Sequence, residues 1–165
     1  MFEERLVEYD AHVHSVGEAG LSQTISAIIG KRRIKRTAIP VGLPKSWLPV
    51  DLEFSEGDQF SNLELNQFDG VLTACTVAIA LTGTIVLQNT AGQGPRRLSL
   101  IPDFHLCVVF ADQIVETVSE AFDRLASSQT LPTTFVSGPS ATADIEMTRI
   151  KGVHGPRFLD VLIVN

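Results

Sequence analysis

The stretch Phe104-His105-Leu106-Cys107-Val108-Val109-Phe110 scarcely alternates between apolar and polar residues. A strand with one wet face alternates, so continuity of this kind suits a strand covered on both faces, as in a mostly parallel sheet. Such a strand needs helices on its flanks. The clearest lies directly after it, where Ile114, Val115, Val118, Ala121, Phe122 and Leu125 recur at helical spacing with Asp112 as candidate N-cap. Further out, Val71 to Thr73, Thr84 to Gln88, Thr133 to Ser137 and Phe158 to Val164 are short runs with strand character. Strands alternating with helices predict an α/β sandwich with right-handed crossovers.

The first half extends the pattern. Leu6, Val7, Tyr9, Val13 and Val16 fall near one helical face and predict a helix from Phe2 to about Val16. A second helix is expected from Leu21 to Ile29, with Gly30 as its stop. Arg36 to Val41 reads as a strand ended by Pro40, Gly42 and Pro44, with a helical turn around Ser46 to Leu48. A strand near Leu52 to Phe54 and a small helix from Asn62 to Phe68, outside the core, fill the polar segment before Gly70. With neither a repeat nor a linker in 165 residues, one domain over residues 1–165 is expected.

Charge and cysteine usage narrow the function. A net charge of −6 argues against general nucleic-acid binding, which draws on Lys and Arg at phosphates. The basic run Lys31, Arg32, Arg33, Lys35 and Arg36 sits at an expected helix end, where cations complement the dipole, and reads as a solvated terminus. Apolar runs such as Leu106 to Ala111 fall far short of the roughly 18 residues of a membrane span. The opening Met1-Phe2-Glu3-Glu4-Arg5 lacks the basic start of a secretory signal, so a cytoplasmic location is expected. Cys75 and Cys107 read as buried thiols with no disulfide. Two thiols cannot supply the four thiolates of an iron–sulfur cluster, so any cluster is expected on another chain.

Three glycine-bearing loops are the candidates for chemistry, because ligands of open parallel sheets gather at the carboxyl ends of strands. Thr82-Gly83-Thr84 offers a tight turn and two hydroxyls. In Gly138-Pro139-Ser140-Ala141-Thr142-Ala143-Asp144-Ile145-Glu146, Ser140 can cap a following helical turn, while Asp144 and Glu146 would repel an anion unless protonated, turned away, or paired with Arg96, Arg149 or a metal. In Gly152-Val153-His154-Gly155-Pro156-Arg157, His154 is the best acid–base candidate. His105, inside the apolar strand, reads as a hydrogen-bonded core histidine. His12 and His14 are two apart in the expected first helix, hence on different faces, and no metal site is expected there. The common phosphate-loop, dinucleotide, serine-elbow and zinc-protease motifs are absent.

Four segments, taken together, resemble the successive motifs of the LUD-domain (lactate-utilisation protein C) family: Ala78-Ile79-Ala80-Leu81-Thr82-Gly83-Thr84, Arg96 through Ser99 to Pro102 and His105, GPSATADIE from Gly138, and GVHGP from Gly152. The match is best over residues 70–165. Before it, the Gly42-Leu43-Pro44 to Trp47-Leu48 segment also fits. At Leu81 the family usually has an acidic residue, so no proton-transfer role is carried to that position. The resemblance implies an α/β fold like that of NagB, RpiA and the coenzyme A transferases. It further implies a part in oxidising L-lactate to pyruvate alongside iron–sulfur partner proteins, with no cofactor on this chain.

On that footing Thr82, Gly83, Thr84, Arg96 and Ser140 are expected to bind a small carboxylate, with His154 or Glu146 handling a proton. Two alternatives stand beside this one. The chain is an independent enzyme acting on a small acyl or phosphorylated metabolite, or it is a non-catalytic assembly or regulatory subunit.

Overall fold

The computed structural model of the chain describes residues 1–142, 150–151 and 154–165. Its main sheet has six parallel strands in the order β1 (His12–Val16), β12 (Phe158–Val164), β7 (Phe104–Phe110), β4 (Gly70–Thr73), β2 (Thr37–Ile39) and β3 (Phe54–Glu56). The unalternating stretch Phe104–Phe110 is β7, paired on both sides. Its continuous apolar character has a physical cause in two dry faces. Phe104, Leu106 and Val108 pack toward one layer, while Cys107 and Val109 pack toward the other.

On the first face lies α2 (Leu21–Arg32), whose Leu21, Ile25, Ile28 and Ile29 form one helical stripe against Leu72, Leu106, Leu162 and Val164. The second face is covered mostly by another sheet rather than by helices. That sheet runs β8 (Ile114–Val115), β5 (Val77–Ile79), β6 (Thr84–Gln88) and β9 (Thr133–Val136). Ala78, Ile85 and Leu87 meet Cys107, Val109, Leu159 and Val161, together with Phe2 and Leu6 of α1 (Phe2–Glu8). On its outer side Val77, Ile79, Val86 and Val115 are covered by Ala121 and Leu125 of α5 (Val118–Leu125). The α/β class expected from sequence is therefore realised as helix, sheet, sheet, helix, with the main sheet wholly parallel among its described strands.

Several elements differ from expectation, each for a local reason. The first helix ends at Glu8, because Asp10 takes a left-handed backbone (φ 67°) and the amide of Ala11 turns back to Leu6 O. Residues His12 to Val16 are strand. α2 passes through Gly30 and stops three residues later, where Arg33 (φ 57°) is the left-handed cap, since Ile28 and Ile29 hold the last turn on the core. α5 begins only at Val118, capped by Thr117 and Glu120, and Asp112 lies in a preceding 3-10 turn. The helix after Ser61, α3 (Asn62–Leu65), is not outside the core. Its Leu65, with Phe68 beyond it, packs on Ala38, Val71 and Leu98.

Candidate functional site

The described residues of the three loops do not gather at the carboxyl ends of the main sheet. Thr82 and Gly83 form the turn of the antiparallel β5–β6 hairpin in the second sheet, with Gly83 at φ 59°. A Cβ on Gly83 would stand 2.8 Å from the Cβ of Arg5, so glycine is needed there for α1 to approach. The Thr82 and Thr84 hydroxyls bond one another at 2.7 Å, and Thr84 bonds the Ser137 hydroxyl at 2.7 Å. These bonds close the turn and tie it to Ser137.

Ser140 and His154 do meet, though not as an acid–base pair. The His154 backbone amide donates to Ser140 Oγ at 3.2 Å, and the Ser140 amide donates to Pro156 O at 2.8 Å. Both precede β12, which sets them at the amino edge of the sheet. In place of a helical turn, Ser140 leads into the short ribbon of β10 (Ala141–Thr142) and β11 (Ile150–Lys151). Arg96 opens α4 (Arg96–Leu100) with an exposed side chain, and its neighbour Arg97 donates to the carbonyls of Asp58 and Phe60. Glu146, like Asp144 and Arg149, lies outside the described residues. The described members of the set thus lie on a hairpin turn, on an amino-edge loop joined to it through Thr84 and Ser137, and at a helix start.

The crevice where ligands of such sheets usually bind lies between β2 and β4, whose onward connections run to opposite sides of the sheet. Here the chain fills it with its own turn. Gly92 N donates to Val41 O at 2.9 Å, Ala74 N donates to Gly92 O at 2.8 Å, and Val41 N donates to Asp58 Oδ1 at 2.7 Å. Buried Gln93 pins the turn, its Oε1 accepting from Thr76 Oγ1 at 3.0 Å and Gln88 N at 2.7 Å.

Sequence reasoning missed a polar cluster on the α2 face of the main sheet. Once residues 12–16 are strand, His12 and His14 point to the same side, and the register sets His12 opposite Asp160 of β12. Asp160 is 2% exposed. Its carboxylate lies 3.1 Å from His14 Nε2 and 4.0 Å from His12 Nδ1, and it accepts from the guanidinium of Arg32 at both oxygens. Arg32 is held between the rings of Phe104 (5.4 Å) and Phe158 (5.1 Å), so this member of the basic run is a structural ion-pair partner rather than a solvated end. His12, His14, Ile28, Lys31, Arg32 and Asp160 line a small cleft of about 150 Å³. Two signals for it were present in the sequence: a lone acid within the apolar run Phe158 to Val164, and the H-x-H spacing.

The opposite face carries a different buried set. His105 Nε2 bonds Thr73 Oγ1 at 2.8 Å at 1% exposure, the satisfied core histidine that its position predicted. Two residues on, Cys107 and its neighbour Cys75 are free, buried thiols. The hydrogen bond with Cys107 and burial push the Cys75 thiol well up. Among the described residues no group of three or more His, Cys, Asp or Glu is placed to hold a metal ion, and no helix is long and apolar enough to cross a membrane.

The family model described as LUD domain matches residues 1–164. The chain belongs to the LUD-domain family. Among LUD proteins it is 47% identical over 167 residues to one named lactate utilization protein C from Deinococcus radiodurans, covering 99% of this chain and 78% of that protein. A protein of the same name from Halalkalibacterium halodurans is 34% identical over 110 residues, 63% of this chain and 47% of its own length. The chain thus matches less than half of some longer LUD relatives. A crystal structure of a DUF162 family protein from Deinococcus radiodurans superposes with a TM-score of 0.85 at 40% identity, over 99% of this chain and 94% of that one.

Proposed function

We propose that this LUD-domain chain is a cytoplasmic component of an L-lactate utilisation system and acts with iron–sulfur partner proteins that carry the electrons. The observation that carries the proposal is the match along the whole chain to the LUD domain, joined to 47% identity with a relative named lactate utilization protein C. Converting L-lactate to pyruvate releases two electrons and two protons, so an acceptor is required. A cluster needs about four thiolates, more than the two buried cysteines Cys75 and Cys107, which supports the reading that any such cluster is carried by the partners.

The test is L-lactate oxidation by the reconstituted iron–sulfur partners with a dye acceptor, with and without this chain. Dye reduction that depends on the chain supports the role. Equal rates in its absence contradict it and turn attention to small acyl or phosphorylated substrates.

A further inference from the structure

Lys31, beside the Asp160 cluster, is an exposed cation whose side chain has no hydrogen bond or ion pair among the described residues. Arg32 and Lys31 carry two positive charges against the single carboxylate of Asp160, so the lining retains one unit of positive charge before either histidine is counted. Arg32 cannot swing away to spend its charge elsewhere, because two aromatic rings and both Asp160 oxygens hold it. The larger cleft alongside, about 580 Å³, shares Lys31 and Arg32 and adds Arg33, Asp69 and Asp103. Its acids are already engaged. Asp69 accepts from the amides of Lys35 (2.9 Å) and Arg36 (3.0 Å), and Asp103 pairs with Arg157 at 3.5 Å. With Asp103 offset by Arg157 and Asp69 by Arg33, the approach adds no net charge, and the single positive charge of the small cleft remains to attract an anion.

We propose that this cleft binds a small hydroxycarboxylate monoanion, the carboxylate at Lys31 and His12 and the hydroxyl at the His14–Asp160 pair. The charge sum favours a monoanion, since a second negative charge would face Asp160 with no cation to balance it. A volume of about 150 Å³ limits the ligand to a few heavy atoms. Asp160 keeps acceptor capacity beyond its present partners, so a hydroxyl on the carbon next to the carboxylate has somewhere to donate. The inference rests on the lactate reading for the choice of ligand, while the site itself rests on the cleft and its charges.

The experiment follows the ring signals of all four histidines by NMR while L-lactate is titrated into the full chain, with calorimetry for affinity. L-Lactate shifts the His12 and His14 signals and leaves buried His105 and loop His154 in place. Lys31→Gln alters an exposed side chain, so the variant folds, and it weakens binding at least tenfold; the unchanged His105 signal reports the intact core. Acetate, lacking the hydroxyl, binds more weakly than lactate. Unmoved His12 and His14 signals, shifts confined to His154, unchanged affinity in Lys31→Gln, or inorganic phosphate binding as tightly as lactate would each overturn the assignment. Dye-linked oxidation that depends on this chain while the cleft fails to bind lactate would reject the cleft and leave the lactate role standing.

Discussion

Two buried polar residues on opposite faces of one sheet show what a single position can reveal. His105 was legible in sequence because a histidine inside an apolar run must find a partner, and it has one in Thr73. Thr73→Val keeps the shape but orphans His105 Nε2, and we expect a loss of about 1–3 kcal/mol in denaturant unfolding. Asp160 was not legible as a site, because its partners come from Arg32 and His14, 128 and 146 residues away in sequence. Removing its charge leaves Arg32 between two rings without a counter-ion. Asp160→Asn should therefore destabilise by about 3–5 kcal/mol, read from the same unfolding curves. A change below about 1 kcal/mol would mean that the pair is not held as described.

Elements were easiest to read where periodicity persisted and hardest where it changed within a few residues. Phe104 to Phe110 and Phe158 to Val164 emerge with the expected bounds, since a seven-residue, mostly apolar run outlasts local ambiguity. At the first helix the period switches from 3.6 to 2 across Asp10, and Val13 and Val16 fit both templates, which is why His12 and His14 were placed on different faces. At α5 the Ile114–Val115 strand continues the apolar stripe by accident of spacing, masking the true start at Thr117. Thr117 accepts from Glu120 N, so Thr117→Ala should cost about 1 kcal/mol of stability.

The reciprocal arm of that cap carries a pH signature. The backbone amides of Thr117 and Glu116 hold the Glu120 carboxyl below its ordinary value. A lowered folded value stabilises above the ordinary carboxylate range and loses that contribution as pH falls through it. Thermal midpoints of the parent and Glu120→Gln should thus differ most at roughly pH 7, and the difference should shrink as pH falls below the ordinary carboxylate range. A constant difference would deny the carboxylate its part in the cap. At the β5–β6 turn, Gly83→Ala places a methyl against Arg5 at φ 59°, and we expect α1 to loosen, seen as faster amide exchange at Leu6.

At the scale of the whole molecule, the α/β class and the parallel sheet were readable because they follow from β7 having two dry faces. The second sheet was not, since Val77–Ile79 and Ile114–Val115 are only three and two residues long, too short for any periodicity to register. Its consequence is functional. With a sheet over one face and a pinned turn filling the β2–β4 crevice, the polar cleft beneath α2 and the larger cleft alongside it are charged concavities that stay open. Glu146, the remaining acid–base candidate, falls outside the described residues, so the architecture bears on His154 and Ser140 alone among that part of the expected set.

The central claim, that this LUD-domain chain serves lactate use, meets its most direct test in growth of the source cells with the chain deleted. With L-lactate as sole carbon source, deletion should abolish growth, growth on pyruvate should be normal, and restoring the wild-type chain should rescue it. Undiminished growth of the deleted cells on L-lactate would contradict the account.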